Sequence, residues 1–277
     1  MRKCPLCERE FPDDAVECVY DGESLIPEFK LPVNEEEKKW IEQSFLWLLE
    51  TFGKDVFLKY KTILPDKTFF PDKYDGTEES VDKIVRRVCG YMDINPDLIE
   101  VGFLLDGSRE AGSGLTGDKS HSGAAGLYFA NSPEGARRKI VLDVSIFKNP
   151  TKLVATISHE LGHVILLGGG KITRDREDHE YLTDLLTVFL GLGIFTANSV
   201  IQFSQWQDYS HQGWSTSRMG YLTEEMFGYS LAAYAWMRNE KKPTWSKYLC
   251  MDVEHYFKQS LKFFEEGGPT LLSKFAG

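Results

Sequence analysis

Residues able to do chemistry concentrate in two stretches of the chain. Residues 149–167 read Asn-Pro-Thr-Lys-Leu-Val-Ala-Thr-Ile-Ser-His-Glu-Leu-Gly-His-Val-Ile-Leu-Leu. His159 and His163 are four residues apart, so on a helix both imidazoles face one side, one turn from each other. Two neutral imidazoles so placed can hold a zinc ion, and Glu160 beside them can take a proton from a water. This is the H-E-x-x-H pattern, and hydrolysis needs a third protein ligand with the fourth position left open. The second stretch is N-terminal, where Cys4-Pro-Leu-Cys7 precedes Cys18-Val-Tyr-Asp21. Two tight turns of that kind present four ligands tetrahedrally, with a carboxylate of Asp21 where a fourth thiolate would be usual.

The surrounding residues predict the helix that the histidines need. Asn149 is a good N-cap, Pro150 suits the first helical position, and Gly168, Gly169 and Gly170 stop the helix. Leu153, Ile157, Leu161 and Val164 form an apolar stripe at helical spacing, so one side faces a core. Metzincins place a third histidine six residues after the second, but that position is Gly169. Peptide deformylases use an upstream Glu-Gly-Cys, but Cys89 stands in Val-Cys-Gly. Downstream, residues 180–191 predict a second amphipathic helix with carboxylates at Glu180 and Asp184, and Leu185, Leu186, Val188, Phe189 and Leu190 make it too apolar for the surface. Asp175, Asp178, His179 and Asp184 stand beside Glu180 as possible third ligands.

H-E-x-x-H followed by E-x-x-x-D on the next helix resembles the gluzincin metallopeptidases, the thermolysin-like group. The resemblance covers about residues 127–191. It implies that Glu180 is the third ligand and that Asp184 orients His159 or His163. It also implies that Leu127, Tyr128, Phe129 and Ala130 are the edge strand lining the cleft, where an extended peptide binds main chain to main chain. Residues 4–25, with Cys-Pro-x-Cys, Phe-Pro-Asp-Asp-Ala and Asp-Gly-x-x-Leu, resemble bacterial zinc-ribbon modules. That likeness implies a structural zinc on Cys4, Cys7, Cys18 and Asp21.

Length and charge narrow the classes. A chain of 277 residues can bury a sizeable core, and its net charge of −10 excludes a nucleic-acid phosphate partner or an anionic membrane surface. The ribbon is itself acidic, which favours a protein partner or a stabilising role. The N-terminus lacks an apolar signal core and no apolar run is long enough for a bilayer, so a soluble cytoplasmic protein is expected. Five cysteines, three of them at the start, are no disulfide framework.

In chain order, residues 1–27 are expected as the ribbon, 26–33 as a proline-flanked linker, and 28–277 as the zincin-like domain. Helices are expected at 34–52, 77–92, from Thr223 through Trp236, and at 245–266. An extended stretch is expected at 62–70, a turn at 70–76, and alternating strands at 99–105 and 140–146. The Gly- and Ser-rich loop 108–123, which holds His121, reads as a flap over a cleft. Tyr209, His211, Arg218, Tyr221 and Tyr229 are the candidate donors for an oxyanion, and spacing does not choose among them.

The fold class expected is α+β: a small mixed sheet, an active-site helix and a helical C-terminal part, with the ribbon in front. The function expected is peptide-bond hydrolysis by a metal-activated water with Glu160 as general base, on a peptide or protein substrate. A non-catalytic zinc-stabilised adaptor would close the fourth position and has no use for Glu160. A zinc hydrolase of a non-peptide amide would use the same residues.

Overall fold

Side-chain caps decide where the long helices begin. The computed structural model describes residues 2–12, 14–27, 31–104, 126–129, 137–200 and 222–275. Helix α1 (Glu35–Phe52) starts in a capping box: Asn34 accepts from the Glu36 and Glu37 N–H groups, and Glu37 accepts from the Asn34 N–H. A short α2 follows (Lys54–Lys59). Thr77 caps α3 (Glu78–Tyr91) and Asn149 caps α4 (Pro150–Leu166), which opens on proline as expected. Helix α5 is His179–Phe189 and α6 is Gly193–Ala197. Thr223 caps α7 (Glu224–Met237), and α8 is Met251–Glu265.

Among the described residues six strands form two small sheets. Strands β1 (Arg2–Lys3), β2 (Glu10–Phe11) and β3 (Ile26–Pro27) pair antiparallel in the order β2-β1-β3. Strands β4 (Ile99–Leu104), β5 (Gly126–Phe129) and β6 (Arg138–Asp143) pair in the order β4-β6-β5. Strand β4 runs parallel to β6, and β5 runs antiparallel to it with Tyr128 opposite Ile140. The second sheet is therefore mixed, and β5 is its edge. The chain as a whole is helix-rich and mixed α/β.

Three expectations need correction. The strand predicted at 140–146 ends at Asp143, because the Asp143 carboxylate accepts from the Ser145 N–H and turns Val144–Lys148 into a 3₁₀ helix leading into α4. The stretch 62–70 is not a strand: Asp66 accepts from the Thr68 and Phe69 N–H groups and makes a turn. The helix expected at 245–266 is broken, with Thr244–Tyr248 as a 3₁₀ turn before α8. Asn198 causes the break by donating to the Tyr248 carbonyl (2.7 Å) and accepting from the Cys250 N–H (2.8 Å). The loop 108–123, its His121 and Ala130 lie outside the described residues.

The main core joins Phe45 and Leu48 of α1, Ile140 and Leu142 of β6, and the apolar faces of α4, α5, α7 and α8. Leu153, Ile157 and Leu161 of α4 are fully buried, each contributing about 1.5–3 kcal/mol. Helix α4 is enclosed on every side through its middle turns, because α3, α5, α6 and both β5 and β6 pack on it. A separate small core holds Cys4, Cys18 and Leu25, with Cys7, Phe11 and Ala15 against it. Among the described residues no helix is long and apolar enough to cross a membrane.

Candidate metal centre

Helices α4 and α5 meet closely at Gly162, where an added Cβ would stand 2.7 Å from Thr183 Cγ2. The missing side chain lets the two helices bring three groups to one point. Glu180 Oε2 lies 2.9 Å from His159 Nε2 and 3.2 Å from His163 Nε2. Ligands held about 2.0–2.1 Å from a tetrahedral zinc stand roughly 3.3 Å from one another, so this spacing suits such an ion.

The other nitrogen of each imidazole is already occupied. His159 Nδ1–H donates to Asp184 Oδ1 at 2.8 Å, and Asp184 Oδ2 accepts from the Leu222 N–H at 3.0 Å. Thr183 Oγ1 donates to the His179 carbonyl at 2.7 Å, which leaves its oxygen to accept from His163 Nδ1–H at 3.3 Å. Both rings therefore present Nε2 to Glu180, the tautomer that a metal ligand needs. His159, Glu160 and His163 are all nine-tenths buried or more. Burial works against a charged His159, yet hydrogen bonds to Asp184 and Glu180 outweigh it and hold its pKa well above the usual range. His163 is pushed down, first by burial and then by the charge on His159, against the pull of Glu180. The carboxylates of Glu180 and Asp184 thus favour positive charge at the imidazoles, which a divalent cation held between the two Nε2 atoms would supply.

The edge strand lies beside this group. The Tyr128 ring stacks on His163 with centroids 6.3 Å apart and planes 18° apart. Arg138 donates to the Tyr128 hydroxyl (3.2 Å) and to the Gly168 carbonyl (2.9 Å), tying the strand to the end of α4. Arg174 donates to the Tyr128 carbonyl at 3.3 Å. Tyr128 of β5 thus lies against His163, within the stretch Leu127–Ala130 that the resemblance implied as the edge strand.

The N-terminal group is also assembled. Cys4, Cys7, Cys18 and Asp21 offer ligand atoms that all lie within 4.8 Å of one another. Cys4 Sγ is 3.4 and 3.3 Å from the two Asp21 oxygens, and Cys7 Sγ is 3.6 Å from Cys18 Sγ. Hydrogen bonds from Cys18 and then from the Glu23 N–H pull the Asp21 carboxyl down to about 2. Asp21 is therefore an anion at the corner a fourth cysteine would fill.

Of the possible third ligands, Glu180 is the one both Nε2 atoms meet. Asp178 is engaged by Trp40 Nε1 (2.8 Å) and Arg176, Asp184 holds His159, and Asp175 is exposed. His179 sits nearby, its ring 5.9 Å from that of His163. Of the candidate oxyanion donors, Tyr209, His211, Arg218 and Tyr221 lie outside the described residues. Tyr229 does not fit the role. It is fully buried, its hydroxyl donates to Glu42 at 2.6 Å, and burial followed by that carboxylate raises its pKa. Sequence reasoning missed Thr183, the Tyr128 ring and the Leu222 N–H. Only the threonine had a signal, its place three residues after Glu180 on the same helix face.

Comparison with models of known families, with curated proteins and with solved structures finds no match to the chain.

Proposed function

We propose that the chain is a zinc-dependent peptidase of the zincin type, similar to the thermolysin-like gluzincins, with an N-terminal zinc ribbon. One observation carries the proposal: two imidazole Nε2 atoms meet a single carboxylate oxygen while both Nδ1 atoms are already bonded, beside a sheet edge. His159, His163 and Glu180 would hold the catalytic zinc, and Cys4, Cys7, Cys18 and Asp21 a structural one. The donor sets support zinc in both places, since it accepts imidazole, carboxylate and thiolate. Zinc at the first site would polarise a carbonyl and lower the pKa of a water toward about 7.

The chain's own residues do the rest. Strand β5, at the edge of the sheet among the described residues, would pair with the main chain of an extended peptide, which would put the scissile bond beside the histidine face. Glu160 takes a proton from the attacking water as the new O–C bond forms. It then gives that proton to the nitrogen of the breaking C–N bond. Asp184 keeps the His159 ring in one orientation throughout.

Glu160→Gln tests the assignment, because it removes the base and keeps the shape. Turnover of a fluorogenic peptide pool is expected to fall by about 10²–10⁴-fold with zinc content unchanged. A variant that cleaves as fast as the parent overturns the role of Glu160. Cleavage of small amides with none of peptides would move the substrate to the non-peptide class.

A further inference from the structure

Resting on the reading of α4 and α5 as a metal centre, we infer that one face of α5 supplies both a ligand and the orienting partners of the two histidines, with Thr183 as the positioning residue of His163. Glu180, Thr183 and Asp184 stand at i, i+3 and i+4, which puts them on the same side of the helix. Asp184 holds Nδ1 of His159 at 2.8 Å. Thr183 holds Nδ1 of His163 at 3.3 Å, and its own O–H is committed to the His179 carbonyl at 2.7 Å. That second bond aims the threonine: with the proton turned toward the helix backbone, a lone pair is left for the imidazole N–H. Thr183 is fully buried, so no solvent competes for either bond.

The two ligands are therefore held differently. A carboxylate makes His159 a strong donor to the ion, whereas a neutral hydroxyl fixes the ring of His163 while adding little to its basicity. Thr183 has a second duty, since its γ-methyl fills the space opposite Gly162. The substitutions that test it must separate hydroxyl from methyl. Thr183→Val keeps the methyl and the volume and removes the acceptor; Thr183→Ser keeps the hydroxyl and removes the methyl.

The experiment is a Co²⁺ titration of the full chain read by absorbance. Thiolate-rich coordination at the ribbon gives near-ultraviolet charge transfer together with strong visible bands, so ribbon occupancy is read from the charge transfer and the helix site from the weak visible bands that remain once the ribbon's share is subtracted. Thr183→Val is expected to bind cobalt at the helix site about 10–100-fold more weakly than the parent, with ribbon binding unchanged. Thr183→Ser is expected to bind close to the parent. Parent-like affinity in Thr183→Val overturns the proposal, as does equal loss in both variants, which would place the effect in the methyl. The parent and Glu180→Gln separate the underlying reading: a parent that binds no cobalt at the helix site, or binds it there with an affinity that Glu180→Gln leaves unchanged, overturns the His159–His163–Glu180 centre itself. Nitrogen-15 NMR of the histidines in the zinc-loaded parent checks the same point with no substitution. A proton on Nδ1 of His163 is expected, and one on Nε2 overturns the assignment.

Discussion

At the scale of single residues, Gly162 decides how near the two ligand-bearing helices can come. Glycine inside an exposed helix costs about 0.5–1 kcal/mol relative to alanine, so Gly162→Ala would stabilise an isolated helix. Here the new methyl would stand 2.7 Å from Thr183 Cγ2 in a fully buried contact. Overpacking of that kind costs about 1–3 kcal/mol, which exceeds the propensity gain. Relief by shifting α5 would draw Glu180 away from both imidazoles. Gly162→Ala is therefore expected to lower both the melting temperature and zinc affinity. A thermal melt with a chelator competition checks it, and a variant that is more stable and binds zinc like the parent would contradict it. The same contact explains what could be read in advance. His159, Glu160, His163, Glu180 and Asp184 carry a spacing that any single helix displays. Thr183 becomes meaningful only once the register of α5 against α4 is known, and the sequence of one helix does not state it.

Among the elements, local chemistry was the legible part. Asn149 was readable as a cap, the helices expected at 34–52, 77–92 and from Thr223 open on Asn34, Thr77 and Thr223, and all four side chains accept from backbone N–H groups of their helices. A strand overlapping 127–130, implied by the resemblance, and a strand through Ile140 and Leu142 are present, though burial of Val141 breaks the alternation expected in β6. What failed were boundaries: local turns at Asp66 and Asp143 end extended runs, and Asn198 interrupts the run before α8 from about 50 residues away. Asn149→Ala tests how far a cap matters to the site. Its side chain accepts from the Lys152 N–H at 3.0 Å, and loss of such a cap costs about 1 kcal/mol, or a fall of about 2–4 °C in a chain of this size. The histidines lie more than two turns further on, in a part of α4 enclosed on all sides. Zinc affinity should therefore stay at the parent value while the urea midpoint falls. Loss of affinity would mean that fraying at the start of α4 reaches the site.

For the whole molecule, the question is which parts stand without metal. The N-terminal core consists of Cys4, Cys18 and Leu25, so two of its three buried side chains belong to the group that would hold the ion. Its strands are two residues long, far too short to hold together as an isolated sheet. The main core instead draws on every long helix among the described residues and on the second sheet. Binding energy of a metal at the N-terminal group would therefore be folding energy, whereas at the helix group it would add to a fold that already has its core. Chelation should consequently open residues 1–27 and leave the helices in place. Arg9 is the residue to watch, because its carbonyl accepts from the Cys4 N–H at 2.9 Å and its guanidinium lies 4.0 Å over the Tyr20 ring. The second contact exists only while the two cysteine turns are closed on each other. With a chelator present, trypsin should cut at Arg9 at least about tenfold faster, as a locally opened segment does, with far-ultraviolet circular dichroism little changed. Cys18→Ser should reproduce the cleavage with the helix site still able to bind zinc. If chelation melts the helices along with the N-terminus, or leaves Arg9 as resistant as before, the ribbon does not owe its fold to the ion.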